Sequence, residues 1–296
     1  MAHDYAVVGL AASDTVRVIA ARTTNIVREA QARHDCSPTV TAALGRLLTG
    51  GVLMSAGLKG RERLTLQVAG DGPAGGLVVD ALPGGRVRGY PQRARAEMPL
   101  NCYGKFDVGG VVGRGTLHVT RIFDSGHPYT SAVPLVSGEI GEDLAYYFAH
   151  SEQIPTVMAL GVLANPQGVL AAGGVLAQPL PGADEHVIDV LERSARSLPQ
   201  VSSLVRRGLS PEALVNELAG ELEPRVTLLQ PAAFRCTCDR SRVVRAIVGV
   251  GSAELESMAQ SRAETEVTCD YCGQRYYFSP DEVREILENA SSTAQG

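Results

Sequence analysis

Two close pairs of cysteines constrain this chain more than any other feature. Cys236 and Cys238 stand in "FRCTCDRSR", Cys269 and Cys272 in "VTCDYCGQRYYFSPDE", and thirty residues, 239–268, lie between the pairs. Two close pairs separated by a loop of domain size let four thiolates converge on one metal ion. Soft thiolates favour Zn²⁺, and four sulfurs leave no open coordination position, so the pattern predicts a structural centre and not a hydrolytic one. The expected ligands are Cys236, Cys238, Cys269 and Cys272, in a small C-terminal zinc-binding domain over 232–296.

The C-x-C half departs from the commoner pattern, in which both halves are C-x-x-C knuckles. A closely spaced pair is also a ready disulfide, and zinc-bound thiols are deprotonated and remain nucleophilic, so a partly exposed site is open to oxidation. The pairing decides the consequence. A bond from Cys238 to Cys269 closes a 32-residue loop, counted inclusively, and staples the domain, whereas bonds within the pairs close loops of only three and four residues. Such small loops give little chain-entropy stabilisation. Pairing between sequence neighbours would therefore expel the metal and lose its contribution to folding, on the order of 10 kcal/mol for structural zinc, and the domain would unfold.

A metal centre with basic neighbours also suggests a nucleic-acid-binding ribbon, because Arg235, Arg240, Arg242 and Arg245 surround the first pair. The charge count opposes it. From 232 to 290 there are seven Arg and no Lys against ten Asp plus Glu, and a zinc tetrathiolate adds negative charge. The whole chain is also acidic, at −5 with a sequence pI near 5.7, so no basic field attracts nucleic acid or an anionic membrane surface. The longest apolar stretch, "TAALGRLLTGGVLMSAGLK", runs only twelve residues between Arg46 and Lys59, too few to span a bilayer. "MAHDYAVVGL" carries no export signal, and the expected compartment is the cytoplasm. There, paired cysteines are more often metal ligands or catalytic thiols than permanent disulfides.

With 296 residues and 45% hydrophobic content, the chain can bury more than one core. The expected class is α+β: an N-terminal mixed α/β domain with antiparallel strands over 1–178, a helical linker over 179–231, and the zinc-binding domain. "DTVRVIAAR" alternates as a strand, and Ser37 with Pro38 opens a long helix predicted to reach Leu58. "RLTLQVAG", "GGLVVDAL" and "GRVRGY" read as an antiparallel meander. Further strands are expected at "GTLHVTRIF", "TVMALGVLA" and "GVLAAGGVLA", and a helix at "GEDLAYYFAHS". The glycine-rich "GDGPAGG" lacks the Gly-Lys-Ser/Thr of a phosphate loop and reads as a hairpin turn. No other nucleotide motif is present.

Prolines at 179, 181, 199, 211, 224 and 231 cut the linker into short helices, "ADEHVIDVLERSARS" and "SPEALVNELAGELE". Helices of this length are marginal alone, so they hold only while docked. Their apolar residues Val187, Ile188, Val190, Leu191, Leu214, Val215, Leu218 and Leu222 require a covering surface, expected on the N-terminal domain. At the C-terminus, Ser279 and Glu282 predict a capping box for a closing helix. Cys36 and Cys102 have no partner in sequence, and a lone cysteine is most often a small buried hydrophobe. Cys36 does precede a helix start, where the dipole can lower a thiol pKa. The six histidines show no ligand or triad spacing.

The chain resembles the redox-regulated heat-shock chaperones of the thirty-three-kilodalton chaperonin family. "CTC", the thirty-residue gap and "CDYCGQRYYF" resemble its zinc motif. "ALGRLL", "LKG", "GDGPAGGLVVDA", "VRGY", "PLVSGEIGEDLAYYFAHSEQIP" and "AAGGVLAQ" resemble its N-terminal domain, so the likeness runs over nearly the whole length. One departure is Ser131 in "YTSAVPL", where the family favours glycine, which bears on a local turn.

The resemblance implies an ATP-independent holdase and not an enzyme. It would be inactive when reduced and zinc-bound, and activated when oxidants form two disulfides, Cys236 with Cys238 and Cys269 with Cys272, releasing zinc and unfolding the C-terminal domain and linker. It further implies unfolding client proteins as partners and a homodimer as the active form. Two other classes compete. A thiol oxidoreductase would use one C-x-x-C on a βαβ unit and leaves the second pair unexplained. A static zinc-ribbon interaction module would keep its metal after peroxide.

Overall fold

The computed structural model describes residues 3–293 except 125, 166 and 262. The chain falls into two compact units, Met1–Arg235 and Cys236–Gly296.

The first unit opens with strands β1 (Tyr5–Ala11) and β2 (Val16–Arg22), followed by helices α1 (Thr24–His34) and α2 (Pro38–Met54). Ser37 caps α2 by accepting the Val40 N–H at 3.3 Å, with Pro38 in the first turn as the sequence predicts. The helix stops at Met54, four residues before the expected Leu58, in a turn whose Gly57 has φ +103°. Next come β3 (Arg63–Gly70), β4 (Gly76–Leu82) and β5 (Arg86–Pro91), the predicted meander, with "GDGPAGG" as the β3–β4 connection. The short helix α3 (Val108–Val112) leads to β6 (Gly115–Ile122) and β7 (Pro128–Pro134). Ser131 lies within β7 opposite Val119, so no turn is required of it.

Helix α4 (Gly141–Tyr147) continues as one π-turn over Phe148–Glu152. The buried Asp143 fixes its entry by accepting the N–H groups of Val136, Ser137, Gly138 and Ile140. Strands β8 (Val157–Asn165) and β9 (Gly168–Pro179) are followed by helices α5 (Glu185–Ser197), α6 (Val201–Arg206) and α7 (Pro211–Ala219). The unit closes with β10 (Arg225–Pro231) and β11 (Ala233–Phe234).

Two sheets result, a five-stranded sheet in the order β10-β1-β2-β9-β8 and a six-stranded sheet in the order β11-β5-β4-β3-β6-β7. Helix α2 lies between them, and fourteen of its seventeen residues are buried, which is why it reads as uniformly apolar and not amphipathic. Small residues let both sides close on it. A Cβ at Gly45 would lie 2.7 Å from Val27 and 2.9 Å from Val162, and one at Gly51 would lie 3.0 Å from Val79.

The outer face of the five-stranded sheet carries a second core. Val7, Val16, Val18, Ala20, Val175 and Ala177 meet α5, α6 and α7 there. Val187, Val190, Leu191, Leu214, Val215, Leu218 and Leu222 are all buried against that face, as their helical spacing anticipates, while Ile188 is half-buried. The sequence parse ends the N-terminal domain at 178 and treats 179–231 as a helical linker. In the structure that segment is part of the first compact unit and also supplies β10, which pairs antiparallel with β1 at the sheet edge. β10 escaped a strand reading because it is exposed along most of its length, so "RVTLLQP" shows no alternation.

The second unit comprises α8 (Arg240–Val248), α9 (Ser252–Gln260), the hairpin β12 (Thr265–Thr268) with β13 (Arg275–Phe278), and α10 (Pro280–Thr293). The expected capping box is present. Ser279 N–H donates to Glu282 Oε2 at 2.8 Å, and Glu282 N–H donates to Ser279 Oγ at 3.2 Å. Among the described residues, five side chains form the buried core: Val243, Ile247, Leu255, Phe278 and Val283. A core this small needs a staple.

Candidate metal centre

The staple joins the start of the second unit's chain to the turn of its hairpin. Thr268 pairs with Arg275 across the hairpin, and residues 269–274 close it as a tight knuckle. Gly273 N–H donates to Cys269 O at 2.8 Å and Cys269 N–H to Gln274 O at 2.9 Å. Gly273 has φ +70°, which a side chain would resist. This turn brings Cys269 and Cys272 to one side. The other pair immediately precedes α8, whose N-cap Asp239 accepts the Arg242 N–H at 2.8 Å. Residues two apart in non-helical chain present their side chains to the same face, so Cys236 and Cys238 point together.

All four sulfurs lie within 4.8 Å of one another. Cys236 Sγ is 3.8 Å from Cys269 Sγ and Cys238 Sγ is 3.4 Å from Cys272 Sγ, so these short contacts cross the two pairs. A tetrahedral thiolate site with metal–sulfur bonds of about 2.3 Å has sulfurs roughly 3.8 Å apart. The four residues fit such an ion. Cys272 is buried and the other three are part-exposed.

The electrostatics point the same way. Burial raises the thiol pKa of Cys269, and the adjacent Cys236 raises it further; burial likewise raises Cys272. Four thiolates at this spacing repel one another, and a bound cation reverses that balance. The hydroxyl of Tyr276 donates to Cys238 Sγ at 3.2 Å. Sequence reasoning missed this contact; the strand period signals only its face, since in "RYYF" Tyr276 and Phe278 share one face and the exposed Tyr277 takes the other.

Two of the four arginines around the first pair are matched by carboxylates of the same unit. Arg240 pairs with Glu282 at 2.5 Å and lies over the Phe278 ring at 4.2 Å, and Arg242 pairs with Asp239 at 3.8 Å. Cys36 and Cys102 take no part in the cluster. Cys36 is buried, and burial followed by the adjacent Asp35 pushes its thiol up to about 12, so the helix dipole does not activate it. Cys102 is exposed. Among the described residues, no other group of His, Cys, Asp or Glu gathers with metal-ligand spacing.

The Hsp33 protein family model matches residues 4–279, from β1 through both cysteine pairs. The chain belongs to the Hsp33 family. Its Hsp33 relatives include a 33 kDa chaperonin of Desulforamulus reducens, 42% identical over 97% of this chain and 98% of the relative. Another, from Thermus thermophilus, is 48% identical over 94% of this chain and 85% of the relative. The crystal structure of the 33 kDa chaperonin (heat shock protein 33 homolog) from Thermotoga maritima superposes with a TM-score of 0.90 at 36% identity, covering 98% and 99% of the two chains. Among the described residues, no helix is long and apolar enough to cross a membrane.

Proposed function

We propose that this Hsp33 chain is a redox-regulated, ATP-independent holdase of the cytoplasm that captures unfolding proteins when its four-cysteine centre is oxidised. The observation that carries the reading is the convergence of Cys236, Cys238, Cys269 and Cys272 within 4.8 Å, in a unit whose buried core numbers five side chains among the described residues. Zn²⁺, when bound, supplies the charge that lets four thiolates share one site and the cross-link that so small a core lacks.

In the reduced state the four cysteines hold the second unit folded, and α5, α6 and α7 cover the outer face of the five-stranded sheet. Oxidation forms one S–S bond between Cys236 and Cys238 and another between Cys269 and Cys272. Each bond gives two electrons to one hydrogen peroxide, whose O–O bond breaks to leave, with two protons, as two waters. Loops of three and four residues cannot replace the lost cross-link, so the second unit unfolds. The chain from Cys236 continues directly back into β11 and β10, and loss of order there frees the marginal helices α5 to α7.

Freed helices and uncovered sheet then present contiguous apolar surface to unfolding proteins, without nucleotide. The active form is a homodimer, and neither nucleic acid nor membrane is a partner. Zinc content before and after peroxide tests the reading: about one equivalent in reduced protein, lost on oxidation. Metal retained after full exposure to peroxide would make the centre a static interaction module.

A further inference from the structure

A cavity of about 260 Å³ opens in the first unit, where the two large sheets face each other beyond the end of α2. Arg17 of β2, Arg63 of β3 and Arg121 of β6 reach into it, and apolar Leu53, Phe148 and Leu176 form part of its wall. The Nε atom of each arginine is buried without a hydrogen-bond partner. Buried charged donors are rarely left so, because desolvation is then uncompensated.

Nearby carboxylates do not balance the three cations. Arg63 shares a single oxygen of Asp80 with Arg88, at 3.0 and 2.8 Å. Arg121 has Glu152 at 3.6 Å, beyond hydrogen-bond reach. Arg17 contacts the neutral Gln178 Oε1 at 2.5 Å. Burial and the neighbouring Arg121 both work against the charge on Arg17. Glu62 is the acid on the lining, and its Oε2 is engaged by the Lys59 N–H at 2.9 Å.

We propose that this cavity binds a phosphate group, carried by inorganic phosphate or by a small phosphate monoester. Three converging guanidiniums match the charge and the several acceptor oxygens of phosphate better than the two oxygens of a carboxylate. The apolar wall leaves room for an organic portion. The competing role for the arginines is to neutralise the carbonyl end of α2, whose Met54 and following Ala56 also line the cavity.

Calorimetric titration of the full-length, zinc-loaded, reduced protein tests the proposal, with inorganic phosphate and phenyl phosphate as probes and chloride at matched ionic strength as control. The expected result is saturable 1:1 binding to the wild type, weakened at least tenfold in Arg17→Gln and in Arg121→Gln. Arg17→Lys keeps the charge without the fork and should bind with intermediate affinity; it serves as the informative variant if the glutamine forms fail to fold. Tighter binding of phenyl phosphate assigns the site to an ester, and tighter binding of inorganic phosphate assigns it to the free ion. Absence of saturable binding to the wild type overturns the proposal. Equal affinity in wild type and Arg17→Gln also overturns it and leaves the arginines as partners of the helix end.

Discussion

Tyr276 donates its hydroxyl proton to the sulfur of Cys238 across 3.2 Å, from the strand opposite Val267. A hydrogen bond to a thiolate draws electron density from sulfur and lowers its reactivity toward an oxidant. Outer partners of this kind typically change metal affinity by 10- to 100-fold. Tyr276→Phe keeps the ring, so the expected outcome is zinc release by peroxide about 10-fold faster, with weaker zinc binding in the same range. A chromogenic chelator follows the release. An unchanged rate would make the contact incidental.

The pairing of the oxidised thiols is open to a direct check, because the short sulfur contacts, Cys236 to Cys269 and Cys238 to Cys272, run across the pairs. Peptide mapping of oxidised protein should nevertheless recover Cys236 with Cys238 and Cys269 with Cys272. Crossed bonds would staple the second unit instead of releasing it. In the reduced protein, Cys269→Ser should lose most of its zinc affinity; full affinity in that variant would remove Cys269 from the ligand set.

Leu218 is fully buried where α7 meets the five-stranded sheet. Leu218→Ala is expected to weaken that docking by about 2–5 kcal/mol, the usual range for a buried leucine. Limited proteolysis should then cut 179–231 faster even in reduced, zinc-bound protein, and that protein should acquire part of the aggregation-suppressing activity. Faster cutting with no gain in activity would separate the helices from client capture.

Asp4 supplies a pH signature of the first unit. Burial pushes its carboxyl up to about 6, against the opposing N–H of Ile26 donated at 2.8 Å. Between the unfolded value of 3.8 and about 6, the folded state binds more protons than the unfolded state. Stability contributed by the protonated group is therefore present at low pH and lost as pH rises through about 6. Asp4→Asn removes this titration, so its stability relative to wild type should grow from pH 4 to 7 by about 2 kcal/mol. Urea unfolding of both proteins at several pH values measures it, and a pH-independent difference would contradict the assignment.

Much of this architecture was legible because particular residues leave little choice. Ser37 with Pro38, and Ser210 with Pro211, mark an N-cap and first-turn proline where the structure has them, and the two cysteine pairs define a cluster by spacing alone. Seven of the eight apolar linker residues marked by helical spacing are buried, with Ile188 only half so. What stayed hidden has physical causes. β10 is an exposed edge strand without alternation, so its pairing with β1, more than 200 residues away, has no local signal. The arginine cavity is assembled from three strands far apart in sequence, and no one segment shows it. The hydroxyl of Tyr276 reaches Cys238 only because the hairpin folds it back, which spacing between cysteines does not encode.

The central claim is that one cluster of four cysteines governs client capture by the whole chain. Light scattering from a heat-denatured reporter enzyme, with the reduced zinc-bound protein and the peroxide-oxidised zinc-free protein compared without nucleotide, tests it most directly. The expected result is suppression of aggregation by the oxidised form and none by the reduced form; equal suppression by both forms, or by neither, would contradict it.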